Sequence, residues 1–212
     1  MRPHTLLRIS GAAALGSETV APAWVSPRLQ RAPWVVVRRA EQRAGWIAVG
    51  VRGARRAERF AAWLRCEAVL ESVTAPALAR RRGWAGHPRA ARVPALAALA
   101  AVESLMAARQ LAARWGPAGS VAFELASGCA TARAHSDLDL ILEAAEPLSC
   151  AAAAQLVRAL GALAVRTDLL LETPQGAVAL TEFARGRPPY LLRTPHGACL
   201  GNDPWADAVA AA

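Results

Sequence analysis

Ser136-Asp137-Leu138-Asp139-Leu140-Ile141-Leu142 sets two carboxylates two positions apart inside an apolar run. In an extended strand successive side chains face opposite ways, so Asp137 and Asp139 share one face and Leu138, Leu140 and Leu142 the other. Two carboxylates that close repel one another unless positive charge lies between them. A divalent ion with oxygen ligands supplies that charge, and magnesium is typically held by one or two carboxylates together with substrate phosphates. The pattern points to phosphoryl-type transfer, which asks a protein for positioning and positive charge. Metals there activate the attacking oxygen and stabilise the leaving one. A metal pair calls for a third acid. Asp168 and Glu172 share a face of Val165-Arg166-Thr167-Asp168-Leu169-Leu170-Leu171-Glu172 and are both candidates. Asp168 is favoured because Glu172 lies against the Thr173-Pro174-Gln175-Gly176 turn. The plainer alternative for the whole stretch is an edge strand with a solvated acidic face.

A phosphate partner needs donors as well as metal. Gly119-Ser120 offers a residue with no Cβ, which lets a phosphate approach the backbone, and a hydroxyl that can donate to it. Arg52, Arg55 and Arg56 are candidate contacts for a polyanionic substrate or an acidic partner; a solvated basic face is the competing account. His135 and His196 read as loop and turn residues rather than ligands.

These residues must be carried by elements the sequence can form. Trp34-Val35-Val36-Val37 and Trp46-Ile47-Ala48-Val49-Gly50-Val51 predict two adjacent strands. Phe60, Trp63, Leu64, Val69 and Leu70 approximate a helical period, which predicts a helix led by Arg52–Arg56. Residues 74–94 hold Pro76, Arg80-Arg81-Arg82-Gly83, Pro88 and Pro94, a density of breakers that predicts a connection. A domain boundary near residue 90 follows, giving domains 1–90 and 91–212. Pro94 opens a predicted helix to about Arg114, stopped by Gly116-Pro117. A strand over 121–125, the acidic strand, a helix over 148–163 and a hairpin around Pro174-Gln175-Gly176 complete the chain. The order predicts an α+β fold, with a small amino-terminal α/β domain and a carboxy-terminal mixed sheet flanked by helices.

Composition bounds the partners. All 25 basic residues of the 212 are arginine and the formal net charge is +9. A positive surface attracts polyanions without choosing among them. No apolar run reaches the roughly 18 residues that span a bilayer, and the opening segment is a poor signal peptide because Glu18 interrupts it so soon. The four cysteines have no paired spacing, so a cytoplasmic protein is expected, with no membrane partner. A nucleic-acid partner is not expected either: aromatics are few, no recognition motif is visible, and paired acids would repel a phosphate backbone.

Gly-Ser, a spacer, Asp-Leu-Asp-Leu and a later acidic strand together resemble the nucleotidyltransferase superfamily related to DNA polymerase β. The spacer, residues 121–136, is longer than in minimal members, and 123–128 reads as an insertion. A narrower resemblance covers nearly the whole chain. Arg2-Pro3-His4, Pro33-Trp34-Val35-Val36-Val37-Arg38-Arg39, Val49-Gly50-Val51-Arg52-Gly53, Gly116-Pro117-Ala118-Gly119-Ser120, Ser136-Asp137-Leu138-Asp139-Leu140, Leu171-Glu172-Thr173-Pro174-Gln175-Gly176-Ala177 and Asp203-Pro204-Trp205 resemble the phosphoribosyl-dephospho-CoA transferase family of malonate decarboxylase, the holo-[acyl-carrier-protein] synthases. The longer spacer belongs to that family's pattern.

The resemblance implies transfer of 2'-(5''-phosphoribosyl)-3'-dephospho-CoA from its 5''-triphosphoribosyl precursor to a serine of the apo acyl carrier protein subunit, with release of diphosphate. It implies Asp137 and Asp139 as the catalytic acid pair and, with the metal logic above, Mg2+ held by Asp137, Asp139 and Asp168. Gly119, Ser120, Arg52, Arg55 and Arg56 would meet the substrate. The alternative is another metal-dependent nucleotidyltransferase acting on a small molecule or protein. A basic nucleic-acid binder and a catalytically dead nucleotide sensor fit less well, the latter because the acid pair is intact.

Overall fold

The structure, a computed structural model, describes residues 1–55, 57–111 and 114–206. The fold class is α+β. The chain divides into two units, Met1–Thr74 with Phe123–Thr131, and Ala75–Ala122 with Ala132–Ala212.

The first unit is built on β1 (Leu6–Ile9), β2 (Leu15–Gly16), α1 (Val25–Arg31), β3 (Trp34–Val37), β4 (Trp46–Arg52), β5 (Arg59–Arg65) and β6 (Val69–Val73). The strands form one antiparallel sheet in the order β2-β5-β4-β3-β1-β6. Alternation decides which side chains go inside. Ile47, Val49 and Val51 of β4 join Phe60, Ala62 and Leu64 of β5 in a core completed by Leu7, Val35 and Val37. The α1 helix contributes Val25 and Leu29, one turn apart on one face, to the same core. Each large side chain fully withdrawn from water there contributes about 1.5–3 kcal/mol.

Two sequence expectations give way in this unit. The helix expected across residues 60–70 is instead β5 and β6, separated by a short 3₁₀ turn at Cys66–Ala68. Ala62 is the reason: counted as neutral, it leaves Phe60, Trp63 and Leu64 looking helical, whereas buried it completes the strand alternation Phe60, Ala62, Leu64. With that helix gone, Arg52 and Arg55 lie at the end of β4 and in the β4–β5 connection, not at a helix N-terminus.

The second unit begins with α2 (Ala75–Arg81), α3 (Pro94–Ala97) and α4 (Leu99–Ala107). The breaker-rich stretch 74–94 therefore carries a helix as well as a connection, because Pro76 sits in the first turn, where its missing N–H costs nothing. The long helix expected over 94–114 ends at Ala107. Gln110 turns left-handed (φ 57°), and the chain re-enters as β7 (Trp115–Pro117). As an edge strand β7 tolerates Pro117. Gly116 is required there, since a Cβ would fall on the Ala75 backbone carbonyl.

From β7 the chain enters α5 (Gly119–Ser127), then β8 (Leu138–Glu143), α6 (Cys150–Gly161), β9 (Thr167–Thr173), β10 (Gly176–Ala179), α7 (Leu180–Phe183), β11 (Tyr190–Thr194) and β12 (Gly197–Gly201). The sheet order is β12-β11-β10-β9-β8-β7. Only β8 and β9 are parallel, and α6 makes the crossover that such a pair requires. Ser149 caps α6, its hydroxyl accepting from the Ala152 N–H at 3.1 Å. The expected strand over 121–125 is the body of α5. Val121, Ala122, Phe123 and Glu124 are all buried, and a short run buried on every side carries no period by which to separate helix from strand.

Candidate active site

Leu138, Leu140 and Leu142 of β8 are buried at 1 % exposure or less, while Asp137 and Asp139 are half-buried. The acids thus lie on the side away from the leucines, Asp137 immediately before the strand and Asp139 within it. Across the parallel pair Asp139 is in register with Asp168, Ile141 with Leu170, and Glu143 with Glu172. In-register residues of neighbouring strands point to one face, so Asp139 and Asp168 stand side by side. Below them Ile141 and Leu170 pack with Ala75 and Ala118, an apolar floor under the acidic row. Glu172 lies four residues further along β9, about 13 Å at strand rise, opposite Glu143 and beyond that floor.

Gly119 brings the start of α5 onto Asp139. It adopts φ +59°, and a Cβ on it would overlap Asp139 Oδ2 and come within 2.8 Å of Asp139 Cγ. Only glycine meets both conditions without strain. The Ala118 N–H donates to the Asp139 carbonyl at 2.8 Å, locking the β7–α5 corner to β8. Ser120 follows in the first turn of α5 and is 6 % exposed. Gly119, Ser120, Asp139 and Asp168 are therefore gathered at one end of one sheet, with Asp137 one residue before β8.

Two polar residues were not singled out from sequence, Arg166 at this end of the sheet and Glu124 in the first unit. Arg166 directs Nη2 to Asp168 Oδ2 at 3.6 Å, and both side chains are largely exposed. Its backbone carbonyl accepts from the Leu138 N–H at 2.9 Å, joining the entries of the two acidic strands. A cleft of about 570 Å³ opens beside it, lined by Leu160, Val165, Thr167, Leu169 and Thr181 among others. Glu124, 2 % exposed, accepts from the Thr131 N–H at 2.9 Å and shapes the turn after α5. A buried acid on a predicted strand was the available signal for Glu124; Arg166 had none beyond its place two residues before Asp168.

Arg52 and Arg55 belong to the first unit. The Arg52 carbonyl accepts from Arg28 Nε at 3.1 Å, and the Arg55 N–H donates to Glu58 Oε2 at 2.9 Å. Arg56 lies outside the described residues. Among the described residues no group of three or more His, Cys, Asp or Glu is gathered as a ready-made metal cage.

Comparison with known proteins gives this arrangement a family. Residues 2–76 match the phosphoribosyl-dephospho-CoA transferase MdcG N-terminal domain, and residues 78–204 the phosphoribosyl-dephospho-CoA transferase MdcG C-terminal domain. The chain is similar to the phosphoribosyl-dephospho-CoA transferase of Pseudomonas putida, 44 % identical over 211 residues that cover 97 % of this chain and 95 % of the relative. Those of Azotobacter vinelandii and Klebsiella pneumoniae are 39 % and 38 % identical, covering 99 % and 96 % of this chain and 96 % of each relative. No solved structure matches. Matched in both halves and over nearly its whole length, the chain belongs to the phosphoribosyl-dephospho-CoA transferase family and is an enzyme of the transferase class.

Proposed function

We propose that the protein transfers 2'-(5''-phosphoribosyl)-3'-dephospho-CoA from 2'-(5''-triphosphoribosyl)-3'-dephospho-CoA to a serine of the apo acyl carrier protein subunit of malonate decarboxylase, releasing diphosphate. The observation that carries this is the meeting of Asp139 and Asp168, in register on parallel strands, beside a left-handed Gly119 that leaves no room for a Cβ. Family membership supports the substrate class. A cytoplasmic setting is part of the proposal, supported by four free cysteines.

The serine Oγ attacks the α-phosphorus of the 5''-triphosphate. A bond forms between Oγ and phosphorus, the bond from phosphorus to the diphosphate oxygen breaks, and the serine proton passes to a carboxylate. Asp168 is assigned that proton or the closing of the acidic site; its register with Asp139 supports it over Glu172. The donors in the first turn of α5, at Gly119 and Ser120, face the phosphate chain, as helix N-termini favour anions. Arg52, Arg55 and Arg56 are assigned to the remaining negative charge of the precursor.

In donor type, though not as a preformed cage among the described residues, the acids fit magnesium. Half-buried Asp137 and Asp139 with exposed Asp168 are hard oxygen ligands that leave positions open for substrate phosphate and water, the usual environment of this ion. Asp137 and Asp139 would hold it, and when bound it supplies charge neutralisation on the phosphate and a lower pKa for the incoming hydroxyl.

The test incubates the protein with magnesium, the triphosphoribosyl precursor and candidate apo carrier proteins, and weighs the carriers by mass spectrometry. A mass gain of one phosphoribosyl-dephospho-CoA on a serine is expected, with Asp137→Asn and Asp139→Asn each close to inactive. Full transfer by either variant refutes the assigned roles, and transfer in excess chelator refutes the metal. Loss of activity in Asp168→Asn with Glu172→Gln active supports the third acid; the reverse pattern overturns it. A mass gain of a simple nucleotide would point instead to another nucleotidyltransferase reaction.

A further inference from the structure

The outer face of β4 and β5 carries a feature that the transfer chemistry does not use. Their inward residues are all apolar, and their outward residues are Trp46, Ala48, Gly50 and Arg52 on β4 and Arg59, Ala61, Trp63 and Arg65 on β5. Trp46 pairs with Arg65, Ala48 with Trp63, Gly50 with Ala61 and Arg52 with Arg59. Neither strand contains an acidic residue.

On this face cations and indoles alternate. The Arg38 guanidinium lies 5.1 Å from the centre of the Trp63 ring. Arg43 lies 5.6 Å from the same ring and 5.4 Å from Trp46. Arg65 lies 5.1 Å from Trp46. The result is one continuous stack, Arg38–Trp63–Arg43–Trp46–Arg65. Gly16 of β2 makes room for it, since a Cβ there would press to 3.1 Å on the Trp46 ring. Arg43 and Arg65 are exposed, the two indoles and Arg38 half-buried, and Arg38 Nε is buried with no hydrogen-bond partner among the described residues. The pair between Arg65 and Glu67, 3.4 Å and largely exposed, does little to cancel the charge.

A guanidinium held over an indole keeps its full charge while the ring restrains it. Three arginines held this way lose less side-chain freedom on meeting an anionic surface than three unrestrained ones would. Their spacing indicates what that surface is. Each guanidinium is parted from the next by an indole whose centre lies 5.1–5.6 Å away, whereas the charges of a triphosphate chain are crowded on neighbouring phosphorus atoms. Charges interleaved with rings on a sheet face match carboxylates distributed over a folded protein. Between the stack and the Arg52–Arg59 pair, Ala48, Gly50 and Ala61 leave no bulky side chain in the way.

We propose that the Arg38–Trp63–Arg43–Trp46–Arg65 stack is the docking face for an acidic surface of the protein that carries the acceptor serine. This rests on the proposed transfer to a carrier protein and adds the surface that recognises it.

The test is steady-state transfer by the full chain, with the KM for apo carrier protein and the KM for the triphosphoribosyl precursor measured separately. For Arg43→Glu combined with Arg65→Glu, the expected result is a carrier KM raised about tenfold or more, as when charges meet like charges across an interface. kcat and the precursor KM stay within about twofold, because neither arginine belongs to the acidic site. Raising the salt should weaken the carrier KM of the unaltered protein and leave that of the variant nearly flat. Circular dichroism and thermal melting check folding; if the charge reversals disturb it, Arg43→Gln with Arg65→Gln is measured, and about a threefold rise in carrier KM is expected. An unmoved carrier KM in a folded variant overturns the docking face while leaving the transferase reading intact. A rise in the precursor KM alone overturns it in favour of a coenzyme site. No transfer by the unaltered protein to any carrier overturns the transferase reading and this inference together.

Discussion

Gly119→Ala separates the position of the Asp139 carboxylate from the stability of the fold. The substitution imposes two penalties. At φ +59° an L side chain costs about 1–2 kcal/mol, whatever surrounds it. The added Cβ would also overlap Asp139 Oδ2, with Asp139 Cγ at 2.8 Å and Cβ at 3.2 Å. The overlapping atom is the free end of a side chain, so the clash is relieved by swinging the carboxylate aside rather than by moving backbone. The expected stability loss therefore stays near the backbone cost, a fall in Tm of roughly 2–8 °C for a chain of this size. The rate should suffer far more, since displacing a positioned group by about 1 Å can cost around a hundredfold. Gly128→Ala is the control: it has φ +70° and nothing within 4 Å of the added Cβ, so it carries the backbone penalty alone. Both variants are melted in a calorimeter and assayed for phosphoribosyl-dephospho-CoA transfer. Comparable losses of Tm with activity lost only in Gly119→Ala are expected. Full activity in Gly119→Ala would refute the view that this glycine holds the Asp139 carboxylate in place.

Three further outcomes follow from local geometry. Ser149→Ala removes the hydroxyl that caps α6 and should lower stability by about 1 kcal/mol in urea unfolding, with transfer unchanged. Arg166→Ala breaks an ion pair at 3.6 Å between side chains 73 % and 52 % exposed, so solvent screening should hold the stability change within about 0.5 kcal/mol; a larger loss in the same assay would show that Arg166 holds the two strand entries together through its side chain. Tyr190 is the only tyrosine in a chain without lysine, and burial, then Cys150 beside it, holds its hydroxyl above the ordinary pKa of 10.0. The unfolded chain then ionises before the folded one. The stabilisation is complete below pH 10 and is lost as pH rises through the folded value, which a tyrosinate absorbance titration with Tyr190→Phe as the blank measures directly.

What the sequence makes legible here depends largely on alanine. The strands β3, β4 and β9 are visible because short runs rich in Val, Ile, Leu and Trp, bounded by polar or turn residues, read as strands. The α6 helix is visible because Leu156 and Leu160 repeat at four residues behind a serine cap. Where alanine holds an inward position, as at Ala62 of β5, the period is masked and a false one takes its place. The candidate site follows the same division. Asp137 and Asp139 announce themselves by their spacing, and Asp168 by its place on a later acidic strand. That Asp168 rather than Glu172 faces Asp139 depends on the register across the α6 crossover, which residue types do not encode locally. The arginine–tryptophan stack was equally hidden, because its members come from β4, β5 and the segment between β3 and β4 and meet only once the sheet forms.

The distance between Ser120 and Asp137 has a physical account once α5 is in place. Residues 123–128, expected as an insertion, are the continuation and close of the helix that Gly119 begins. The two ends of that helix have different tasks. Its first turn belongs to the second unit, where Ala118 donates to the Asp139 carbonyl and Gly119 lies against the carboxylate. The segment Phe123–Thr131 belongs to the first unit, where Phe123 receives the Arg28 guanidinium at 5.1 Å and Glu124 accepts from the Thr131 N–H. A spacer trimmed to a tight turn could still set a glycine beside an aspartate. It could not also seat Phe123 under Arg28, so the extra length serves the amino-terminal unit rather than the acidic pair.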